Sequence, residues 1–156
     1  MAFRFFKKKE IQLLAPLSGT IIPLEDVPDP VFSQKMMGEG IAIQPAGSHI
    51  YAPFSGEIIL VAPTKHAIAL RSKNGDEILI HIGLETVSLN GSGFNPVVKE
   101  GEQVEAGQLL VEVDWAYLEE HVENTVTPII VTKSERQVSY GSRGTCIQGE
   151  SIIMTI

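Results

Sequence analysis

The chain has 156 residues, 44% of them hydrophobic, and carries a net charge of −7 with a pI near 5.0. That suits one globular domain able to bury a core without staples. With no basic stripe to neutralise phosphates, it argues against a nucleic-acid partner. The lone Cys146 allows neither an internal disulfide nor a cysteine-rich zinc site and points to a reducing, cytoplasmic setting.

The chain opens with "MAFRFFKKKE", which has no long apolar segment and no cleavage site. Residues 1–12 are read as a flexible, solvated N-terminal segment ahead of a single domain over 13–156. A competing reading is a weak peripheral membrane contact through Phe3, Phe5, Phe6, Lys7, Lys8 and Lys9. No apolar run reaches the ~18 residues of a membrane span. Strand signals follow in order: "GTIIPL", "GIAIQPA", "GEIILVA", "HAIALRS", "EILIHIG", "QLLVEVD", "TPIIVT" and "SIIMTI". Their short length and Gly, Pro or Asp boundaries predict an all-β sandwich or barrel. Helix signals are confined to "VFSQKMMG", one or two turns, and "WAYLEEHVEN", two or three. "APLSGTIIPL" (15–24) is echoed 37 residues later by "APFSGEIILV" (52–61), so two similar β-motifs packed on each other are expected. In "VKEGEQVEAGQLLVEVD", turns are expected at Glu100-Gly101 and Ala106-Gly107.

Between "HAIALRS" and "EILIHIG" lies Asn74-Gly75, the strongest short hairpin signal, because both centres of a type I′ turn need positive φ. Centring the turn there makes paired residues sum to 149, so Ile68 faces His81 and His66 faces Gly83. His66 and His81 then share a face as diagonal neighbours, with Cα atoms ~7–8 Å apart. A slip of one residue would put them on opposite faces.

Two imidazoles side by side allow three chemistries beside the bland reading of two idle surface histidines. A zinc site wants three or four ligands, and only these two can be placed; His49 and His121 lie far off in sequence and read as surface residues. A general base needs a nucleophile, and neither a Gly-x-Ser-x-Gly elbow nor a partner for Cys146 is visible. The remaining chemistry makes one histidine the nucleophile and the other the holder of the transferred group's charge.

Five stretches carry a family resemblance: "APLSGTIIPLEDVPDPVF", "MMGEGIAIQPAG", "APFSGEI", "PTKHAIALRSKNGDEILIHIGLETVSLNGSGF" and "EGEQVEAGQLLVEVD". The chain resembles the glucose-type enzyme IIA proteins of the bacterial phosphoenolpyruvate-dependent sugar phosphotransferase system, from about Leu13 to the C-terminus. The resemblance implies an antiparallel β-sandwich with a shallow active-site depression. It implies a phosphocarrier, acting without a cofactor or metal, that takes a phosphoryl group from the protein HPr and passes it to a sugar-specific enzyme IIB domain. On the same basis His81 is the phosphorylated residue, His66 contacts the phosphoryl oxygens, Thr64 orients His66, and the Gly83 carbonyl holds Nδ1 of His81 so that Nε2 attacks. Asp29 and Glu85 match acidic positions beside the site, with Glu85 longer by a methylene than the Asp usual there, and Lys65 stands where an Asn is common. Val31, Phe32, Met36, Met37 and Val87 match an apolar docking rim, although Phe32 and Met37 read equally well as core. A monomeric, free-standing protein is expected, with regulation of other proteins by phosphorylation state as a further role. Against this stand a zinc peptidase, for which no His-x-His pair or His-x-x-x-Asp run exists, and a lipoyl-type carrier, for which Lys73 lacks the flanking motif.

Overall fold

Ile, Val and Thr fit a pleated, half-buried surface better than a helix, and the runs rich in them become strands throughout. The computed structural model describes residues 9–156. In chain order the strands are β1 (Gln12–Leu14), β2 (Gly19–Pro23), β3 (Glu39–Pro45), β4 (Ile50–Tyr51), β5 (Gly56–Val61), β6 (Ala67–Ser72), β7 (Glu77–His81), β8 (Phe94–Pro96), β9 (Gln103–Val104), β10 (Leu109–Val113), β11 (Thr127–Lys133), β12 (Ser139–Tyr140), β13 (Thr145–Cys146) and β14 (Ile152–Thr155). Two short helices, α1 (Pro30–Ser33) and α2 (Trp115–His121), are each capped by an aspartate, Asp29 and Asp114. All eight expected runs lie on strands. Six further strands, β1, β4, β8, β9, β12 and β13, are two or three residues long, too short to show a period of two.

Pairing is antiparallel throughout. One eight-stranded sheet has the order β13-β2-β3-β11-β7-β6-β5-β9, and two three-stranded sheets run β1-β14-β12 and β4-β10-β8. The expected sandwich of two similar motifs is present. The large sheet reads the same from both edges once β13 is matched with β9, β2 with β5, β3 with β6 and β11 with β7. The echoed Ala-Pro dipeptides are where the halves meet: Leu14 N–H donates to Pro53 O (2.9 Å) and Tyr51 N–H to Pro16 O (2.8 Å). Matching bonds recur on each side. Gly149 N–H donates to Ala15 O as Gly107 N–H does to Ala52 O, and Gln148 N–H donates to Ser18 Oγ as Ala106 N–H does to Ser55 Oγ. The echoed serine thus earns its place as a turn acceptor.

The large sheet buries both faces unequally. Its inner face sends Ile41, Ile43, Ile58, Ile68, Leu70, Ile78, Ile80 and Ile129 into the main core with Leu13, Ile50, Leu110 and Ile153. Its outer face carries a smaller core in which Ala42, Ala67, Ala69, Leu79 and Ile130 meet Leu24, Val27, Phe32, Leu84 and Val126. Among the described residues no helix is long and apolar enough to cross a membrane. Residues 1–8, with the expected contact through Phe3, Phe5, Phe6, Lys7 and Lys8, lie outside the described residues. Ile11 exchanges hydrogen bonds with Ile156 (2.7 and 2.9 Å) and Gln12 pairs with Thr155, so sheet pairing already includes these two residues of the 1–12 segment.

Candidate active site

The hairpin that carries the histidines has a different register from the one the sequence suggested. Ala67 faces His81, Ile68 faces Ile80 and Leu70 faces Ile78, so paired residues sum to 148. The loop is three residues, 73–75, closed by Ser72 N–H to Asp76 O (2.8 Å) and Gly75 N–H to Ser72 O (3.0 Å). Gly75 has φ +90 while Asn74 is not left-handed, so this is a type I turn with a glycine bulge rather than a type I′ turn. The buried Ser72 decides the choice. Its Oγ accepts Asn74 N–H and Asp76 N–H (both 3.2 Å) and donates to Asp76 Oδ2 (2.8 Å). Matching large aliphatics across the hairpin, Ile68 with Ile80 and Leu70 with Ile78, was the sequence signal for this register.

In a regular ladder of this register the two histidines would point to opposite faces, yet their ring centroids are 4.9 Å apart at 77°. The reason is that His66 is not in a strand. β5 and β6 are joined by a loop over residues 63–66, closed by Ala62 N–H to Ala67 O (3.0 Å) and Lys65 N–H to Ala62 O (2.7 Å). Pro63 takes the first central position of that turn, and Lys65 is left-handed at φ 63. This turn frees His66 from the pleat of β6 and lets its ring swing onto the outer face. His81, the last residue of β7, is on that face by alternation with Ile80 and Ile82, paired with Ala67.

Each ring is held by its Nδ1. His81 Nδ1 donates to Gly83 O (2.7 Å); a carbonyl can only accept, so the proton sits on Nδ1 and the lone pair on Nε2. His66 Nδ1 is 2.7 Å from Thr64 Oγ1. A hydroxyl can donate or accept; where Thr64 donates, the His66 proton is on Nε2. Among the described residues no fully buried side-chain nitrogen or oxygen lacks a partner, and neither Nε2 makes a hydrogen bond, so both reach the surface. Burial pushes the pKa of His81 below the ordinary histidine value, against the opposing pull of the Gly83 carbonyl and the Asp29 charge. Burial, and then the charge of His81, push His66 the same way, against the opposing pull of the Thr64 backbone. Both rings are therefore neutral at pH 7. The arrangement offers an aimed lone pair beside a hydrogen-bond donor.

The other expected residues divide. Phe32 is buried, 4% exposed, with its ring centroid 5.0 Å from that of His81, so it is a wall of the site rather than an open docking surface. Val31, Met36, Met37 and Val87 are exposed large hydrophobics. Asp29 caps α1 by accepting Val31 N–H (2.9 Å). Asp29 and Glu85 line one polar cleft of about 380 Å³ with Ser88, His121, Glu123 and Asn124. The stem of Lys65 lies over Gly91. His121 is exposed as expected, but His49 is half-buried and its Nδ1 accepts Val113 N–H (3.0 Å). Cys146 is buried and its thiol is pushed up by burial, away from nucleophile chemistry. Among the described residues no three His, Cys, Asp or Glu side chains gather as a metal site.

Sequence reasoning missed the threonines behind Gly83. Thr86 Oγ1 donates to Ile82 O (2.7 Å), and Thr127 Oγ1 lies under Gly83 N–H (3.4 Å). Both are fully buried. Thr86 stands inside the "ILIHIGLETV" box, where its i+4 spacing from Ile82 was a signal; Thr127, on another strand, left none.

A family model described as phosphoenolpyruvate-dependent sugar phosphotransferase system, EIIA 1, matches residues 11–137. The PTS system glucose-specific EIIA component of Halalkalibacterium halodurans is 46% identical over 150 residues, which cover 95% of this chain and 87% of that protein. The PTS system glucoside-specific EIICBA component of Staphylococcus carnosus is 47% identical over 143 residues, 91% of this chain but only 21% of that longer one. The solved structure of glucose permease IIA from Mycoplasma capricolum superposes with a TM-score of 0.90 at 40% identity, covering 97% of this chain and 99% of that one.

Proposed function

The chain belongs to the EIIA 1 family of the phosphoenolpyruvate-dependent sugar phosphotransferase system, and from that premise we propose that His81 is the residue on which it carries the phosphoryl group. As a member it is a phosphocarrier in sugar uptake, taking the group from phospho-HPr and giving it to an enzyme IIB domain. The observation that supports the placement is the pair of rings 4.9 Å apart, each tethered through Nδ1 and each with Nε2 at the surface.

On this reading the Nε2 lone pair of His81 attacks phosphorus as the bond to the donor atom of HPr breaks, and the electron pair of that bond leaves with HPr. The proton stays on Nδ1, hydrogen-bonded to the Gly83 carbonyl, throughout, so no base is needed. The His66 Nε2–H donates to a phosphoryl oxygen in both the inward and the outward step. Phosphoryl transfer asks for little beyond such positioning and charge stabilisation. Val31, Met36, Met37 and Val87 form the apolar rim on which HPr and the IIB domain dock in turn, and Asp29 and Glu85 supply charge for their basic groups. Thr64, on the same reading, selects the His66 tautomer.

On the same reading the protein works in the cytoplasm as a monomer, one chain supplying every group in the scheme. Relatives named for glucose and for a glucoside match at 46% and 47% identity, so likeness in this domain does not rank the sugars. Incubation with phosphoenolpyruvate, enzyme I and HPr should label the protein with an acid-labile, alkali-stable phosphate. His81→Ala should abolish the label, and His66→Ala should keep it but pass it on poorly. A labelled His81→Ala protein refutes the assignment.

A further inference from the structure

Gly83 has φ +74, and because a glycine has no Cβ its own residue does little to hold the peptide units on either side. Its carbonyl is nonetheless what fixes the proton of His81. Each polar atom of those two peptide units has a partner. In the unit before Gly83, Ile82 O accepts from Thr86 Oγ1 (2.7 Å) and Gly83 N–H points at Thr127 Oγ1 (3.4 Å). In the unit after it, Gly83 O accepts from His81 Nδ1 (2.7 Å) and Leu84 N–H donates to Asn124 O (3.0 Å). Thr86 does two things here. Its hydroxyl holds Ile82 O, and its methyl occupies the space beside the glycine, where a Cβ on Gly83 would lie 2.8 Å from it. Thr127 is braced in turn, its Oγ1 donating to Thr125 O (3.1 Å) and Thr125 Oγ1 accepting from Gln44 Nε2 (3.1 Å).

Resting on the reading of His81 as the phosphorylated residue, we propose that Thr86 is a positioning residue that sets the tautomer of His81 by clamping the Ile82–Gly83 peptide. Thr86 touches neither ring. It acts by keeping the Gly83 carbonyl aimed at Nδ1, which leaves the Nε2 lone pair free. With the clamp released, φ of Gly83 is no longer fixed; the carbonyl, which lies in the following peptide and is tied only through Leu84 N–H to Asn124 O, loses its aim at Nδ1, and the proton is shared with Nε2, which then cannot attack.

Thr86→Val keeps the methyl and shape but removes the hydroxyl, and Thr86→Ser keeps the hydroxyl. The readout is the pair of 15N shifts of His81 at pH above its titration, together with the rate of labelling by phospho-HPr. Wild type should show one protonated and one unprotonated nitrogen. In Thr86→Val the two shifts should converge and the labelling rate should fall about tenfold, the worth of one hydrogen bond. Thr86→Ser should restore both. A folded Thr86→Val protein with the wild-type shift pattern overturns the proposal. Should that variant not fold, Thr86→Ala, which removes the same hydroxyl without adding bulk, takes its place, and a wild-type shift pattern there overturns the proposal equally. The shifts belong to the unphosphorylated protein, so finding the wild-type phosphate away from His81 would refute the reading of the site while leaving the tautomer result to stand by itself.

Discussion

Replacing Gly83 by alanine tests the geometry behind His81 most directly. Two separable costs arise. An L-residue at φ +74 loses about 1–2 kcal/mol from the clash of Cβ with its own carbonyl. The new Cβ would also lie 2.8 Å from Thr86 Cγ2, closer than such atoms approach. Thr86 is fully buried with its hydroxyl bonded at 2.7 Å to Ile82 O, so its methyl cannot turn aside without breaking that bond. Overpacking of this kind costs about 1–3 kcal/mol. Gly83→Ala should therefore lose about 2–5 kcal/mol. Gly75→Ala is the control, because Gly75 has φ +90 but no heavy atom within 4 Å of an added Cβ, leaving only the first cost. Urea unfolding of both variants, at equal m-values, gives the difference. Equal losses in the two would refute the steric part of the reasoning, and a Gly83→Ala loss below about 1 kcal/mol would refute all of it.

Ser72→Ala should lose about 1–3 kcal/mol in the same assay, because the buried hydroxyl serves two amides and a carboxylate. Its labelling by phospho-HPr should stay at the wild-type rate, since the turn lies at the far end of the hairpin; a loss under about 0.5 kcal/mol would contradict the role given to Ser72 in setting the register. Thr64→Val should leave His81 able to accept phosphate but slow onward transfer about tenfold, as the His66 proton loses its assignment to Nε2; unaltered onward transfer tells against it. The pH dependence has a definite sign. Both histidines have folded-state values below the unfolded value near 6.5, so the folded protein binds fewer protons. Their contribution to stability is complete above about pH 6.5 and is lost as pH falls through the folded values. Replacing both by glutamine should flatten the stability profile in that window, and an unflattened profile would show that other groups govern it.

Burial of the exposed rim follows a different logic from burial of the site. Val31, Met36, Met37 and Val87 remain open while Phe32, from the same short segment, is closed against His81. One turn of helix is enough to divide Val31 from Phe32, because α1 starts at the Asp29 cap and turns Val31 out and Phe32 in. The sequence shows four apolar residues over 31–37 and does not by itself separate Val31 from Phe32.

From the residues alone came the strand runs, because alternation and β-branching are local properties. The two-motif architecture was legible too, because each repeated Ala-Pro and Ser-Gly serves the same turn on both sides. So was the partnership of His66 with His81, although the route to it was wrong. A register one residue away would separate the rings if both sat in strands. Only the folded chain shows that His66 lies in a loop turned by Pro63 and a left-handed Lys65, which returns its ring to the outer face. The register itself depended on Ser72, whose buried hydroxyl favours a three-residue turn over the two-residue turn that Asn-Gly prefers by itself. The wall made by Phe32 and the Thr127 contact behind Gly83 arise between segments far apart in the chain. Local preference can place a histidine at the end of a strand, but the direction of its proton is set by residues that meet it only when the sheet has closed.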